Sequence, residues 1–501
     1  MLAKTAIQLI VITSIFIVSQ FGMLYIFPIL PDITHDFFPE LSESELGYRQ
    51  GYLAGIYFLG TFSGSWIWGR LSDWIGRKRA VMLTTFMYSI TIGLFGLSTS
   101  YTMALILRFL WGLFNGTDAI VKTFIAEVCE NRQDLARGMS LLGLSDGLGR
   151  MIGPTLSAWL SRPATKFKFL DRSFLRRFPY FLPSAVCVCL GVVAIIISSV
   201  FLKESIKKGD RDTKYSPLEM REEGSDETDE FLTRKDFKTS NNNSHKYLKN
   251  TLKLFSHRVI LSAIFNYNYY AFVMIQFDEL IPLMLVTPPR NGGFCMNEDS
   301  LGFITFCTSL IQIPFALLIG PLIIGYLGIR KCLRIFLIPT AILIFLLPLW
   351  SRVSLVKQAF STYVPVSTAV NGSMHTNSQM SCHGVSLDIA DIPLRIWVIF
   401  FSLQLPISIL RVLLFACYAM GVANSSKRKQ RATVNGIAQS GASLVRFFGP
   451  IFGANVYAWS ISSGFKWPMD ASFIWTIASI NIILLIFTSL LYPSKIEQPE
   501  D

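Results

Sequence analysis

Apolar windows of roughly 20 residues recur along the 501-residue chain, near 6–30, 49–69, 80–98, 102–122, 138–160, 179–202, 259–286, 300–325, 332–350, 393–421, 434–459 and 470–492. Each is long enough to cross the hydrocarbon core of a bilayer as a helix, about 30 Å thick. In lipid every backbone amide must be satisfied internally, which leaves only helices and closed barrels, and windows this long are helical. The chain therefore reads as an all-α membrane protein with about twelve transmembrane helices. Composition agrees, because 16% charged residues falls well below the roughly 25% of soluble domains. Forty Phe and ten Trp suit lipid-facing surfaces and interfacial belts. The first window follows Lys4, is too long for a signal-peptide core and precedes no small-residue cleavage site, so it reads as a retained first helix.

A polar stretch, 203–258, divides the windows six and six. It mixes Lys, Asp, Glu, Ser and the run Asn241-Asn242-Asn243 without apolar periodicity, as a solvated and largely disordered linker does. The predicted organisation is an N-terminal six-helix bundle over 1–202, the linker over 203–258, a C-terminal six-helix bundle over 259–492 containing a long outer loop at 351–392, and a tail over 493–501. Lysine and arginine collect in Arg70 to Arg79, Lys203 to His257, Arg330 to Arg334 and Lys427 to Arg431, all on one side. The positive-inside rule makes that side, and both termini, cytoplasmic. The net charge of +12 is thus a topology signal rather than a nucleic-acid footprint. One loop runs against the rule: Arg162, Lys166, Lys168, Arg172, Arg176 and Arg177 fall on the outer side.

Asn371-Gly372-Ser373 in the outer loop is an N-glycosylation acceptor, the one such triplet placed where glycosylation can occur. Of eight cysteines only Cys295 and Cys382 fall in outer loops, either as a disulfide or as two unlinked thiols. No Cys or His spacing resembles a metal site, and neither a nucleophile–base pair nor a nucleotide-binding loop appears, so no cofactor and no enzyme activity are expected.

Charges inside a spanning helix are costly and usually face a cavity or a partner. Arg108 stands in the fourth window, either facing the interior or snorkelling from the helix end. Asp146 and Arg150 are four apart and share a helix face, as a structural ion pair or as a protonation-linked switch. Asp118 and Lys122 have the same spacing. Asp278 and Glu279 follow the polar run Asn266-Tyr267-Asn268-Tyr269-Tyr270; they are candidate proton carriers or hydrated acids at the outer mouth. Arg446-Phe447-Phe448-Gly449-Pro450 echoes Arg150 to Pro154, as an internal duplication predicts.

The string Gly69-Arg70-Leu71-Ser72-Asp73-Trp74-Ile75-Gly76-Arg77-Lys78-Arg79 resembles the loop between helices two and three of major facilitator superfamily transporters. The resemblance implies a fold of two six-helix halves, with Gly69, Asp73, Gly76, Arg77 and Lys78 serving the cytoplasmic gate. Arg108, which precedes Gly112, resembles the superfamily's helix-four arginine implicated in proton coupling. Gly149-Arg150-Met151-Ile152-Gly153-Pro154 resembles the helix-five antiporter pattern at Gly149, Gly153 and Pro154, but Ser157 and Ala158 stand where that pattern continues with glycines. Longer strings, Val121 to Cys129, Arg177 to Pro183 and Asn435 to Ala438, are similar to the zinc-induced facilitator-like branch, in which Arg150 and Arg446 depart from the usual residues. That likeness implies proton-coupled antiport by alternating access, exporting a small molecule or cation such as a metal chelate, organic ion, potassium or drug, with Arg108, Asp146, Arg150, Asp278, Glu279 and Arg446 as coupling or substrate residues. The partners implied are a small solute, protons and membrane lipid, in a monomer of the vacuolar, endomembrane or plasma membrane. A symporter or uniporter on the same fold, and a transporter-like nutrient receptor, are the alternatives.

Overall fold

The computed structural model describes residues 3–41, 43–129, 132–205, 257–287, 296, 298–348, 394–426, 431–462, 472–490 and 492–493. Linker residues 206–256, the outer loop with Asn371, both Cys295 and Cys382, and all but the first residue of the tail lie outside the described residues.

The first half comprises α1 (Ala3–Leu24), α2 (Leu30–Phe37), α3 (Glu43–Ile75), α4 (Arg77–Phe95), α5 (Tyr101–Phe114), α6 (Thr117–Val128), α7 (Arg132–Leu160) and, after three short helical turns, α8 (Phe181–Phe201). The second comprises α9 (Arg258–Val286), α10 (Glu298–Pro314), α11 (Gly320–Leu327), α12 (Ile329–Leu346), α13 (Leu394–Asn424), α14 (Arg431–Ser462) and α15 (Phe473–Leu490). With α5–α6 and α10–α11 each forming one interrupted pass, these helices make the twelve passes of two six-helix halves. Among the described residues, six spans are long and apolar enough to cross a membrane by length and composition alone. Each half buries its own apolar core, one running from Leu9 to Leu202 and the other from Ile260 to Tyr492.

Several boundaries depart from the hydropathy pattern for identifiable reasons. The basic string at Gly69–Arg79 is not a loop: α3 continues through Ile75 and α4 begins at Arg77, leaving Gly76 alone between them at φ +99°. Only glycine adopts that angle without strain, and a Cβ there would lie 2.3 Å from Oε2 of Glu204. The window at 6–30 ends as a helix at Leu24, and Pro31 opens the separate amphipathic α2, where Leu30 and Ile33 are buried. The fourth pass breaks at Asn115-Gly116, and the ring of Trp68 packs so closely on Gly116 that a Cβ would lie 2.3 Å from its Cγ. The eighth pass carries a π-helical turn, Phe315–Ile319, between Pro314 and Gly320-Pro321, where prolines remove backbone donors.

The halves meet chiefly at one end, the end carrying Lys166. Along α3, Gly47, Gly51 and Gly55 let the backbone touch α14; a Cβ would lie 2.9 Å from the carbonyl of Pro450 at Gly51 and 2.5 Å from that of Phe447 at Gly55. Small residues four apart permit this approach between membrane helices. The second seam joins α7 to α10, where Thr155 Oγ1 donates to the carbonyl of Gly302 at 3.2 Å and Ala158 packs on Gly302. The Lys166 ammonium closes it with a 2.7 Å ion pair to Asp299.

The same end holds the basic loop that runs against the charge rule, and three of its cations are neutralised locally. Arg162 bonds Asp36 at 2.8 Å, Lys166 pairs with Asp299, and Arg176 pairs with Asp171 at 2.5 Å.

Candidate functional site

Four polar clusters interrupt the apolar interior. The first surrounds Arg77, at the end opposite Lys166. Its guanidinium is buried, pairs with Asp73, donates to Ser72 Oγ at 2.5 Å and bonds Glu127 at 3.1 Å. Its backbone amide donates to Glu204 Oε1 at 2.7 Å, while Lys78 Nζ donates to the carbonyl of Ser199 at 2.8 Å. These contacts tie the α3–α4 turn to the ends of α6 and α8, all within the first half. The side chain of Asp73 is half exposed and its one ion-pair partner among the described residues is Arg77. Gly69 has open space around it.

The second cluster crosses between the halves. Arg150 on α7 donates from Nε to Asp146 at 2.9 Å and lies 3.7 Å from Asp278 on α9. Asp278 also accepts Arg411 of α13 at 2.6 Å. Two carboxylates and two guanidinium groups thus form one chain, Asp146–Arg150–Asp278–Arg411, whose Arg150–Asp278 link joins the halves. The i,i+4 pair expected from sequence forms; the members that link it across the molecule, Asp278 and Arg411, lie over a hundred residues away. Arg411 carried no motif, and only its position inside an apolar window marked it.

Asp118 anchors the third. It sits in the first turn of α6, just past the Asn115-Gly116 break, where unpaired amides and the helix dipole favour negative charge. Gln20 Nε2 reaches its Oδ1 at 3.2 Å from α1, Gln439 Nε2 reaches its Oδ2 at 3.2 Å from α14, and Lys122 lies at 3.5 Å. Tyr267 Oη on α9 donates to Gln439 Oε1 at 3.1 Å, which fixes the amide with its nitrogen toward Asp118. Asp118 and Lys122 pair as their spacing implied, but the carboxylate also receives an amide from each half. Arg446, about two turns further along α14 than Gln439, is half-buried.

Arg108 and Glu279 form the fourth. Arg108 is completely buried on α5, stacked 4.1 Å from the Trp111 ring and 4.6 Å from that of Tyr57, so it faces the interior and does not snorkel. Its one hydrogen bond is long, 3.4 Å from Nη2 to the carbonyl of Met23, while Nε and Nη1 have no partner. Glu279 on α9 is likewise completely buried, and neither carboxylate oxygen has a hydrogen-bond partner. Gln50 and Arg108 act on it from the first half and Asp278 from its own helix, although the Gln50 amide nitrogen is not in hydrogen-bond geometry. The expectation of a hydrated acid at the outer mouth does not hold for Glu279; the seam between α3 and α14 closes over it.

The helix-five glycines act inside one half. A Cβ at Gly149 would lie 2.4 Å from Cβ of Gln20, and one at Gly153 would lie 2.8 Å from the carbonyl of Phe21, so both seat α7 on α1. Pro154 begins the stretch that reaches the other half through Thr155 and Ala158. No group of three or more His, Cys, Asp or Glu arranged to hold a metal occurs among the described residues.

Comparison with known proteins accounts for this architecture. Residues 12–288, more than half of the chain, match the Major Facilitator Superfamily. A probable peptide/nitrate transporter of Arabidopsis thaliana is 24% identical over 94% of this chain and 89% of its own length. The protein ZINC INDUCED FACILITATOR-LIKE 1 of the same plant is 24% identical over 87% of this chain and 80% of its own. Among solved structures, that of a D-xylose-proton symporter superposes with a TM-score of 0.67 at 13% identity, covering 98% of this chain and 99% of that one. The chain belongs to the Major Facilitator Superfamily, resembles its zinc-induced facilitator-like branch, and is a multi-pass secondary transporter of small solutes.

Proposed function

We propose that the protein is a proton-coupled antiporter that exports a small solute by alternating access, with the Arg77 end cytoplasmic. The carrying observation is the Arg108–Glu279 pair: a carboxylate and a guanidinium, both dry, one from each half, neither with its hydrogen-bonding capacity met. An ionised carboxylate without partners in such a place costs several kcal/mol, so Glu279 is stable either as the neutral acid or when drawn against Arg108. Moving the halves changes that distance and therefore whether a proton is held. The Asp146–Arg150–Asp278–Arg411 chain supplies a second element that must break when the halves separate at the Lys166 end.

Closure at the Lys166 end, taken with the local containment of the Arg77 cluster, supports a conformation open toward the cytoplasm. In that state Asp73 has released the other half and is held by Arg77 alone; on turning outward it would engage the facing end of α14. The resemblance of Gly149 to Pro154 to the antiporter pattern supports exchange over symport.

The test uses purified protein in sealed vesicles containing a pH-sensitive dye, with an imposed proton gradient and candidate organic ions, metal chelates and potassium added in turn. Solute-dependent proton movement, lost in Arg108→Ala, is the expected result. Solute movement that ignores the proton gradient in folded protein would replace antiport with facilitated uniport.

A further inference from the structure

We propose that the transported solute carries a negatively charged group, a carboxylate, sulfonate or phosphate, which binds between Lys122 of α6 and Arg446 of α14. This inference rests on reading the space between the halves as the transport site, and it names what that site takes.

Charge within the space is unevenly distributed. The Asp146–Arg150–Asp278–Arg411 chain is balanced, two carboxylates against two guanidinium groups, and its members are held at 2.6 to 3.7 Å. The Asp118 cluster is not balanced. One carboxylate there pairs with Lys122, and Arg446 of α14 stands within electrostatic range of Lys122 as a second cation. Asp118 is already engaged by the amides of Gln20 and Gln439, each at 3.2 Å, and by Lys122 at a loose 3.5 Å. Arg446 forms no hydrogen bond or ion pair with any described residue. The side chain of Lys122 is 44% exposed although α6 belongs to a spanning pass, so it is not sealed into packed protein.

An excess cation deep in a membrane protein persists where a ligand regularly supplies the missing charge. The donors suit that role. A guanidinium offers a planar fork to two anionic oxygens, and an ammonium opposite it adds a point charge. Asp118 sets the limit on charge: pinned beside Lys122, it repels a second anionic group, so the site favours a solute with one negative group at that position. The contributing helices are α1 and α6 from one half and α9 and α14 from the other, and alternating access exposes a site between the halves to each side in turn.

The test measures thermal stabilisation of the purified full-length protein by benzoate, methanesulfonate, phenyl phosphate and citrate, against tetraphenylphosphonium and tetraethylammonium. At least one anion is expected to stabilise, with half-saturation raised about tenfold or more in Lys122→Ala and in Arg446→Ala, and less in Arg446→Lys, which keeps the charge without the fork. Stabilisation by the cations alone, or by anions equally in wild type and both alanine variants, overturns the proposal.

A second measurement needs no ligand. A cysteine at Gly436, about one turn before Gln439 with open space around it, is reacted with an anionic (sulfonatoethyl) and a cationic (trimethylammonioethyl) methanethiosulfonate. The anionic-to-cationic rate ratio is expected to exceed that of a free thiol and to fall when Arg446→Gln is added. A ratio at or below the free-thiol value overturns the proposal even if the variants used for binding are unstable. Anion binding that moves no protons would leave this site standing and remove proton coupling. Proton-linked movement of tetraphenylphosphonium without anion binding would do the reverse.

Discussion

The Lys166–Asp299 pair offers a direct handle on the conformational equilibrium, because it is one of the contacts that close the two halves at that end. Its atoms are 2.7 Å apart, and both side chains are more than three-quarters withdrawn from solvent. The same ammonium donates to the carbonyl of Ala158 at 2.7 Å and to Ser161 Oγ at 3.2 Å, so it is positioned before the partner arrives. A charge-assisted hydrogen bond in this setting contributes about 1.5–3 kcal/mol. Asp299→Asn keeps a neutral acceptor, which sets the expected loss at about 1–2 kcal/mol, or roughly 5- to 30-fold in the ratio of closed to open states. Spin labels on cysteines replacing Phe174 and Trp459, both exposed and on opposite halves, read that ratio as a distance distribution. Asp299→Asn should transfer population to the longer distance, and the swap Lys166→Asp with Asp299→Lys should restore the shorter one. An unchanged distribution in Asp299→Asn would refute the claim that this contact closes the end.

The Arg77 cluster separates folding from gating. Asp73→Asn should lower the melting temperature little, since the side chain is half exposed and such pairs contribute about 1 kcal/mol or less, yet it should reduce transport; unchanged flux in correctly localised protein contradicts the gating role. Glu127→Ala leaves a buried guanidinium short of a partner and should destabilise by roughly 3 kcal/mol, read as a lower melting temperature than that of Asp73→Asn. Gly76→Ala combines φ +99° with a clash on Glu204 and should cost about 1–3 kcal/mol; a melt equal to wild type would show that the turn relaxes freely. Burial holds the His35 imidazole below its ordinary range, outweighing the opposite pull of Asp36. The folded state therefore resists protonation: the contribution of His35 is present above the unfolded value of 6.5 and lost as pH falls, and His35→Gln should flatten acid destabilisation in that window.

Much of the fold was legible because lipid enforces it. Apolar windows marked the passes, and i,i+4 spacing found Asp146–Arg150 and Asp118–Lys122. Spacing cannot reveal partners on other helices, so Arg411, Gln20 and Gln439 went unnoticed, although each is a polar residue within an apolar window. The break in the fourth pass was signalled by Asn115-Gly116 but submerged by the hydrophobicity on either side. Hydropathy also ended α3 at Gly69, whereas the chain stays helical to Ile75: charged residues leave the bilayer without leaving the helix. The helix-five glycines resembled an antiporter pattern; only three-dimensional packing placed them against α1.

Proton coupling rests most directly on Glu279, and it is tested by solute-driven proton flux set beside solute exchange in vesicles containing wild type or Glu279→Gln. If Glu279 carries the proton, the variant should exchange solute across the membrane at equilibrium yet move no protons and drive no uphill transport. Proton-coupled, uphill transport retained in Glu279→Gln would contradict the account and shift the coupling to the Asp146–Arg150–Asp278–Arg411 chain.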